Sequence, residues 1–410
     1  MTATSQQPAD LGALILTLNA GSSSIKFALY SVADGDLVLT AKGQVEGIGT
    51  APRFLAKAAD GTRLAESYWE PVEAGFGHAR ALRQIWHWLV ETAADERIIA
   101  VGHRVAHGGE RYADPVLIDP KVTEDLAALI PLVPLHQPNN LAAIRAVATD
   151  LPDLPQVACF DTGFHRGRPL VSEQFALPRA LLDRGLKRYG FHGLSYEFIV
   201  AQLRELAPDL ATGRVVVAHL GSGCSMSALR DGRSIETTMS FSALDGLPMG
   251  TRCGTLDPGV LLYLMREDGL GVNDLERLLY QESGLLGLSG ISNDLRDLKA
   301  STAPTAAAAI DYFIYRIGQH LGALCATIGG LDALIFTAGI GENDPDTRAR
   351  ICANAAWLGI AIDAAANARG DGCISPPGQT PSVWVIPTDE ERMIARHTLA
   401  VVGAAGLPAA

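Results

Sequence analysis

Leu14-Ile15-Leu16-Thr17-Leu18-Asn19-Ala20-Gly21-Ser22-Ser23-Ser24-Ile25-Lys26-Phe27 reads as a short apolar strand, a tight polar turn and the start of a second strand. The turn offers small residues, backbone N–H groups, hydroxyls and one ammonium. That set suits a phosphate, because the backbone can approach closely and Lys26 supplies a point charge. An ordinary serine-rich hairpin would read the same way if it stood alone. It does not stand alone. Val215-Val216-Val217-Ala218-His219-Leu220-Gly221-Ser222-Gly223-Cys224-Ser225-Met226-Ser227-Ala228-Leu229 repeats the plan about half a chain later. A strand–turn–strand unit opening each half implies an internal duplication, with two similar domains facing one another across a cleft.

The totals agree with two domains. The chain has 410 residues, more than one typical core supports, and 48% hydrophobic with 19% charged residues is ordinary globular composition. A net charge of −12 argues against nucleic acid or an anionic membrane as partner. It leaves an anionic substrate open, since local arginines override a global charge. Six scattered cysteines, without a C-x-x-C, point to a reduced, cytoplasmic setting. The polar N-terminus lacks the basic segment of a signal peptide, and no charge-free apolar run reaches membrane-spanning length.

Several loops carry chemistry. Residues 74–94 read as an amphipathic helix through Leu82, Ile85, Trp86 and Leu89. Ile98 to Val105 then forms a buried strand with Arg104 inside it. A charge there needs a buried anionic partner or a ligand, and the two are equally open. His103 and His107 share an i,i+4 spacing, but no Glu follows the first and the segment is β-like, so zinc is dismissed. Asp161 follows a strand over 156–160, a usual catalytic position and a usual helix cap. Arg188-Tyr189-Gly190-Phe191-His192-Gly193 is a glycine-flanked loop before a helix near Ser195, with room for its ring side chains to face a ligand. In 246–258 glycines and prolines bracket Arg252, the setting of an anion clamp. A long helix is expected over 307–328. Gly339-Ile340-Gly341-Glu342-Asn343 turns out of a strand into a helix capped by Asp344, an arrangement suited to a nucleotide. Thr388 with Glu391 fits a capping box, leaving Glu390 as the freer carboxylate and a candidate for magnesium.

In order, LNAGSSSIKF, GHRVAHGGE, PLHQPNN, FDTGFH, RYGFHG, HLGSG, LPMGTRCG, SGISNDLRDL, FTAGIGEN and VIPTDEE resemble the motifs of the acetate kinases over about residues 14–400. The resemblance implies the actin, Hsp70 and sugar-kinase superfamily. That fold is α/β, with two duplicated ribonuclease-H-like domains and the active site in the cleft between them. The expected boundaries are 11–165, joined by a C-terminal helix at about 392–405, and a nucleotide-binding domain over 166–391. It implies a homodimer and reversible, magnesium-dependent phosphoryl transfer from ATP to acetate, with Mn²⁺ as a substitute ion. Residue by residue, Asn19 and Glu390 resemble the magnesium positions. Ser22, Ser24 and Lys26 stand where the family handles phosphate. Arg104 resembles the substrate-carboxylate binder and Asp161 the catalytic acid residue. His192 and Arg252 resemble the groups that stabilise the transition state, and His136 lies near the transferred phosphoryl. His219, Leu220, Gly221, Ser222 and Gly223 resemble one nucleotide loop. Asp294, Leu295 and Arg296 resemble a second, and Gly339, Ile340, Gly341, Glu342 and Asn343 a third.

The acceptor carboxylate is already ionised at pH 7, since such groups titrate near about 4.3. No general base is required, and catalysis rests on positioning and charge neutralisation. Asp161 is then expected to orient magnesium through water or to fix an arginine. Ser222 replaces the family's Asn and Leu295 its Phe, both in the nucleotide region. In the acyl pocket Leu135 and Phe191 match, while Ala106 replaces Val and Ala243 replaces Pro. The pocket is therefore expected to be larger and to use propionate comparatively well. The rivals are a propionate- or butyrate-preferring kinase, a pyrophosphate-dependent enzyme and a non-catalytic nucleotide-binding module. The intact GIGEN loop argues against pyrophosphate, and Arg104, Arg252, His192 and Glu390 against mere binding.

Overall fold

A computed structural model describes residues 12–21, 24–33, 35–69, 76–92 and 97–405. The chain divides into two compact units, 1–163 with 389–410 and 164–388.

The first unit is built on strands β1 (Ala13–Ala20), β2 (Ile25–Ala33), β3 (Asp36–Glu46), β4 (Arg53–Ala58), β5 (Arg63–Tyr68), β6 (Arg97–Val105), β7 (Val116–Leu117) and β8 (Gln156–Phe160). They form one sheet in the order β5-β4-β3-β2-β1-β6-β8-β7. β1, β6 and β8 run parallel, and β2 returns antiparallel to β1. Alternation along β1 explains its continuous apolar run. Leu14, Leu16 and Leu18 pack with Ile85, Trp88 and Leu89 of the helix His78–Thr92. Ala13 and Ile15 face the other way, in a cluster with Ala395 of the helix Glu390–Ala404. Both faces of the sheet are thus covered, and such a strand reads as apolar throughout. Gly102 of β6 lets the C-terminal helix approach: a Cβ there would stand 2.2 Å from Thr398 Oγ1.

The second unit repeats the plan with β9 (Arg214–Leu220), β10 (Cys224–Arg230), β11 (Arg233–Thr237), β12 (Ala333–Thr337), β13 (Gly372–Cys373) and β14 (Ser382–Val385). Their order is β11-β10-β9-β12-β14-β13. This matches β3-β2-β1-β6-β8-β7 strand for strand, including the parallel centre and the antiparallel outer edge. The duplication inferred from two glycine-serine turns is a duplication of whole sheets. Asp231 and Gly232, at φ of 54° and 69°, close the β10–β11 hairpin as Asp-Gly turns do. The helix Pro304–Ile328 carries the sheet's cover, burying Phe313, Ile314, Ile317, Leu321 and Leu324 on one face.

Some expected boundaries shift. The helix read over 74–94 is described as His78–Thr92, and 74, 75, 93 and 94 lie outside the described residues. The long helix begins at Pro304 rather than 307, since proline suits a first helical turn. The C-terminal helix begins at Glu390 rather than about 392. Its cap is Asp389, whose carboxylate accepts from the Arg392 N–H at 2.9 Å, and not Thr388. The Thr388 backbone N–H instead donates to Glu342 Oε1 at 3.1 Å. The Gly339–Asn343 segment is not an open turn: Ala338–Asn343 is a short helix entered through Ala338 at a φ of 64°.

Candidate active-site residues

In the first unit the β1–β2 turn closes with the Gly21 N–H donating to Ser24 O at 2.8 Å. Ser22 lies outside the described residues. Asn19 and Lys26 face each other across the ladder, and Lys26 is exposed. The Asn19 amide donates to Glu390 Oε2 at 3.3 Å, so two residues 371 positions apart share one spot. Burial pushes the Glu390 carboxyl up to about 7, and the charges of Asp161 and Glu391 add to it, against Arg104 and Lys26. Such a half-buried, crowded carboxylate beside a side-chain amide offers oxygens of the hard kind that a divalent cation takes. Magnesium characteristically takes one or two protein oxygens and completes its shell with water and phosphate, so these residues fit it.

Arg104 projects from β6 and is held by Asp161, which follows β8. Nε donates to Asp161 Oδ2 at 2.8 Å, and Nη2 donates to the same oxygen. Asp161 is 1% exposed and the arginine half-buried. Asp161 thus lies within hydrogen-bond reach of an arginine, as one of the two roles expected for it requires. Ala106, buried two residues further on, has its N–H held by Asn140 Oδ1 at 2.9 Å. The Asn140 amide donates in turn to Ala20 O at 2.8 Å. Asn140 thereby ties the end of β1 to the end of β6. Gln137 does similar work, donating to His107 O at 3.1 Å. Leu135 and His136 sit half-buried at the start of the helix Gln137–Asp150. Gln137 and Asn140 escaped sequence reading, although they lie in the same PLHQPNN motif as His136.

In the second unit His192 caps the helix Gly193–Leu206 with a φ of 60°, a left-handed conformation in which a histidine is strained. That backbone swings its ring onto the ring of His219, with centroids 4.1 Å apart and an angle of 19°. His192 Nδ1 bonds Ser225 Oγ at 2.8 Å, and His219 Nδ1 bonds Ser195 Oγ at 2.8 Å. Gly223 makes room. A Cβ there would stand 3.3 Å from His192 Nε2 and 3.8 Å from Arg252 Nη1. Histidine, arginine and the glycine turn after β9 therefore converge.

The Arg252 loop is pinned by backbone. The N–H groups of Ser283, Leu285 and Leu286 donate to Thr251 O, Met249 O and Gly250 O at 3.0, 2.9 and 2.9 Å. Gly284, at a φ of 64°, permits this approach. Arg252 Nη1 donates to Ala243 O at 3.0 Å. Ala243 and Phe191 are both buried.

The nucleotide-loop residues divide. Ser222 is exposed and Gly221 half-buried, whereas His219 and Leu220 belong to the core. Asp294 caps the helix Leu295–Ala300, accepting from the Arg296 N–H at 2.8 Å, and pairs with the exposed Arg296 guanidinium. Leu295 is 4% exposed and serves packing. Glu342 turns inward, with its Oε1 accepting from Ala338 N at 2.8 Å and from Thr388 N. Its carboxylate shapes the loop, which leaves Gly339, Ile340 and Asn343 as the accessible side. Arg348, fully buried, adds hydrogen bonds to Gly341 O and Glu342 O at 2.9 and 2.8 Å.

Two sheets of one order, each with a polar turn after its first strand, define the actin-like class of two-domain phosphotransferases. The acetokinase family model matches residues 14–396, and the chain belongs to that family. It is 50% identical to an acetate kinase of Methylocella silvestris over 95% of this chain and 98% of that one. It is 52% identical to one of Rhizobium meliloti over 95% and 98%. Among solved structures, a propionate kinase from Francisella tularensis superposes with a TM-score of 0.87 at 36% identity, covering 95% of this chain and 100% of that one. The acetate kinase of Porphyromonas gingivalis gives 0.82 at 35% identity with the same coverage. The chain is thus a kinase that uses ATP and a carboxylate acceptor.

Proposed function

We propose that the chain transfers the γ-phosphoryl group of ATP reversibly to acetate, giving acetyl phosphate and ADP by direct in-line displacement. The observation that carries this reading is Arg104, a guanidinium placed in a buried strand and aimed by Asp161, the arrangement needed to hold a small carboxylate. A carboxylate oxygen attacks phosphorus while the bond to the ADP oxygen breaks. The acceptor is an anion already, so the side chains need only place it and neutralise charge. His192 and Arg252 meet the charge on the transferring group, with His136 beside it. Lys26, Ser24 and Ser22 handle phosphate, and 219–223, 294–296 and 339–343 hold the nucleotide. Asn19 and Glu390 would hold Mg²⁺, or Mn²⁺ in its place, which screens phosphate charge when bound.

Propionate is a second acceptor. What supports it is the sequence: Ala106 and Ala243 are smaller than the Val and Pro the family carries at these positions, and one more buried methylene is worth about 0.8 kcal/mol. A homodimer is supported by the helix Pro258–Glu267, which buries none of its residues and exposes Leu262 and Tyr263. No disulfide joins the six cysteines, in keeping with a cytoplasmic setting, and no helix among the described residues is long and apolar enough to cross a membrane.

The test is magnesium-dependent ADP formation from ATP with acetate, propionate and butyrate in parallel. Comparable rates on acetate and propionate support both assignments. Activity on acetate alone removes the propionate reading, and a clear preference for the longer acids removes acetate as the principal acceptor. Inactivity with all three, whatever the donor, leaves a nucleotide-binding module.

A further inference from the structure

His192 is fixed by more than its ring stack. Its Nδ1 lies 2.8 Å from Ser225 Oγ, and Ser225 Oγ lies 2.5 Å from the Tyr196 hydroxyl. Ser225 and Tyr196 are both fully buried, on β10 and on the helix Gly193–Leu206. Ser225 also stands directly opposite His219 in the β9–β10 ladder. One cross-strand pair therefore supplies both the ring on which His192 stacks and the hydroxyl that holds its Nδ1.

Three atoms and two hydroxyl protons make the direction of this chain decidable. Among the described residues the Tyr196 hydroxyl has Ser225 Oγ as its hydrogen-bond partner, and Ser225 Oγ has Tyr196 and His192. If His192 Nδ1–H donated to Ser225, one hydroxyl proton would be stranded. Either Ser225 donates to Tyr196 and the phenol proton lacks an acceptor, or both neighbours donate to Ser225 and its own proton lacks one. A buried unsatisfied donor costs about 1–3 kcal/mol. Only the order Tyr196 to Ser225 to His192 Nδ1 satisfies every proton. It makes Nδ1 an acceptor, so the ring proton resides on Nε2.

We propose that Tyr196 and Ser225 are positioning residues that hold His192 as the neutral Nε2–H tautomer, aimed toward the Gly223 turn as a hydrogen-bond donor to the transferring phosphoryl group. A doubly protonated ring would place a donor against the Ser225 proton, and stacking at 4.1 Å disfavours two cationic imidazoles. The tautomer rests on geometry alone; its use in phosphoryl transfer rests on the function proposed above. Neither hydroxyl touches the reacting atoms in this assignment. They act through His192, as outer partners act through a metal-bound histidine.

The test is a long-range proton–nitrogen NMR spectrum of the full chain with ¹⁵N-histidine near neutral pH, with the His192 signal identified by its loss in His192→Gln. The expected result is a protonated Nε2 and an unprotonated Nδ1. A protonated Nδ1 in the wild type overturns the proposal whatever the variants do. Ser225→Ala should mix the tautomers and lower kcat about 10-fold, with KM for ATP and acetate within about threefold, the size expected for a misdirected donor. Ser225→Thr keeps the hydroxyl and should restore kcat. Tyr196→Phe leaves the Ser225 proton Nδ1 as its acceptor, so this variant should keep the Nε2–H tautomer. Unchanged tautomer and kcat in Ser225→Ala, or a Ser225→Thr as impaired as Ser225→Ala, would overturn it. If the wild type makes no ADP with any acid, the proposed function fails, while its spectrum still decides the tautomer.

Discussion

Arg104 donates to a single carboxylate oxygen of Asp161, through Nε at 2.8 Å and again through Nη2, although 57 residues separate them. The two lie at the ends of adjacent parallel strands, β6 and β8, so the sheet itself brings them together. Asp161 is buried and Arg104 partly so, which means that neither charge is well solvated if the other is removed. Asp161→Asn should therefore loosen the guanidinium rather than remove a base. The expected outcome is a rise of roughly 10-fold in KM for acetate with a fall of about 100-fold in kcat/KM, and an unchanged magnesium requirement. Steady-state kinetics with acetate and magnesium varied in turn decides this. A shifted magnesium requirement with an unchanged acetate KM would return Asp161 to the metal.

Gly223→Ala should act on catalysis while sparing the fold. The new Cβ would lie 3.3 Å from His192 Nε2 and 3.8 Å from Arg252 Nη1, and the first is tighter than ordinary packing allows. A displacement of either group by a few tenths of an ångström misplaces charge stabilisation. The expected loss is about 10- to 100-fold in kcat with a melting temperature within about 2 °C. Equal kcat in the variant would show that the histidine and arginine do not need this spacing.

The strands and their duplication were legible because apolar runs and glycine-serine turns are local signals. Arg104 was legible as an anomaly, a charge in an apolar strand, but its partner depended on parallel pairing that no local pattern encodes. Asn140, Ser225 and Tyr196 were missed for a related reason. Each is an ordinary residue of a helix or strand until tertiary approach places it against Ala106 or His192. The helix cap was misread because Thr388 has the right spacing from Glu391 but spends its N–H on Glu342, leaving Asp389 to cap. The Gly339–Asn343 segment looked like a turn because two glycines hide helical periodicity.

Ala106→Val tests the size of the acyl pocket. Ala106 is buried and its N–H is anchored to Asn140, so the backbone cannot retreat and the added methyls must press on whatever lies against this side chain, which in the function proposed above is the acyl group. Overfilling typically costs about 1–3 kcal/mol, which predicts a loss of propionate kcat/KM of at least about fivefold relative to acetate. A competition assay with both acids gives this ratio directly. A ratio that does not move would place the acyl chain elsewhere.

The helix Pro258–Glu267 buries none of its residues, yet carries Val260, Leu262, Tyr263 and Met265 at 40%, 52%, 61% and 46% exposure. Leu261 and Leu264 are half-buried, so the helix rests on its own unit through these and turns the other apolar side chains outward. In the homodimer proposed above, Leu262→Glu with Tyr263→Glu should give a monomer in sedimentation, with the far-ultraviolet spectrum retained, because both side chains are exposed in the single chain. A wild-type monomer, or a double variant still dimeric, would remove this helix from the interface.

Stability should fall on mild acidification. Burial pushes His103 down to about 4, and burial with the Arg168 charge pushes His165 down to about 3, against a usual 6.5. Between about pH 6.5 and 4 the unfolded chain therefore binds protons that the folded chain refuses, and unfolding becomes easier as pH drops. Glu390 works in the opposite sense. Its carboxyl, raised to about 7, is more readily protonated folded than unfolded, so the fold gains as pH falls from 7 towards 4.5. From pH 7 to 5 two buried histidines oppose one raised carboxyl, so the expected net change is a loss of stability. Urea midpoints at the two pH values measure the balance. A midpoint at pH 5 equal to or above that at pH 7 would mean that the histidines are reached by water in the folded chain, and that the packing around them is looser than described.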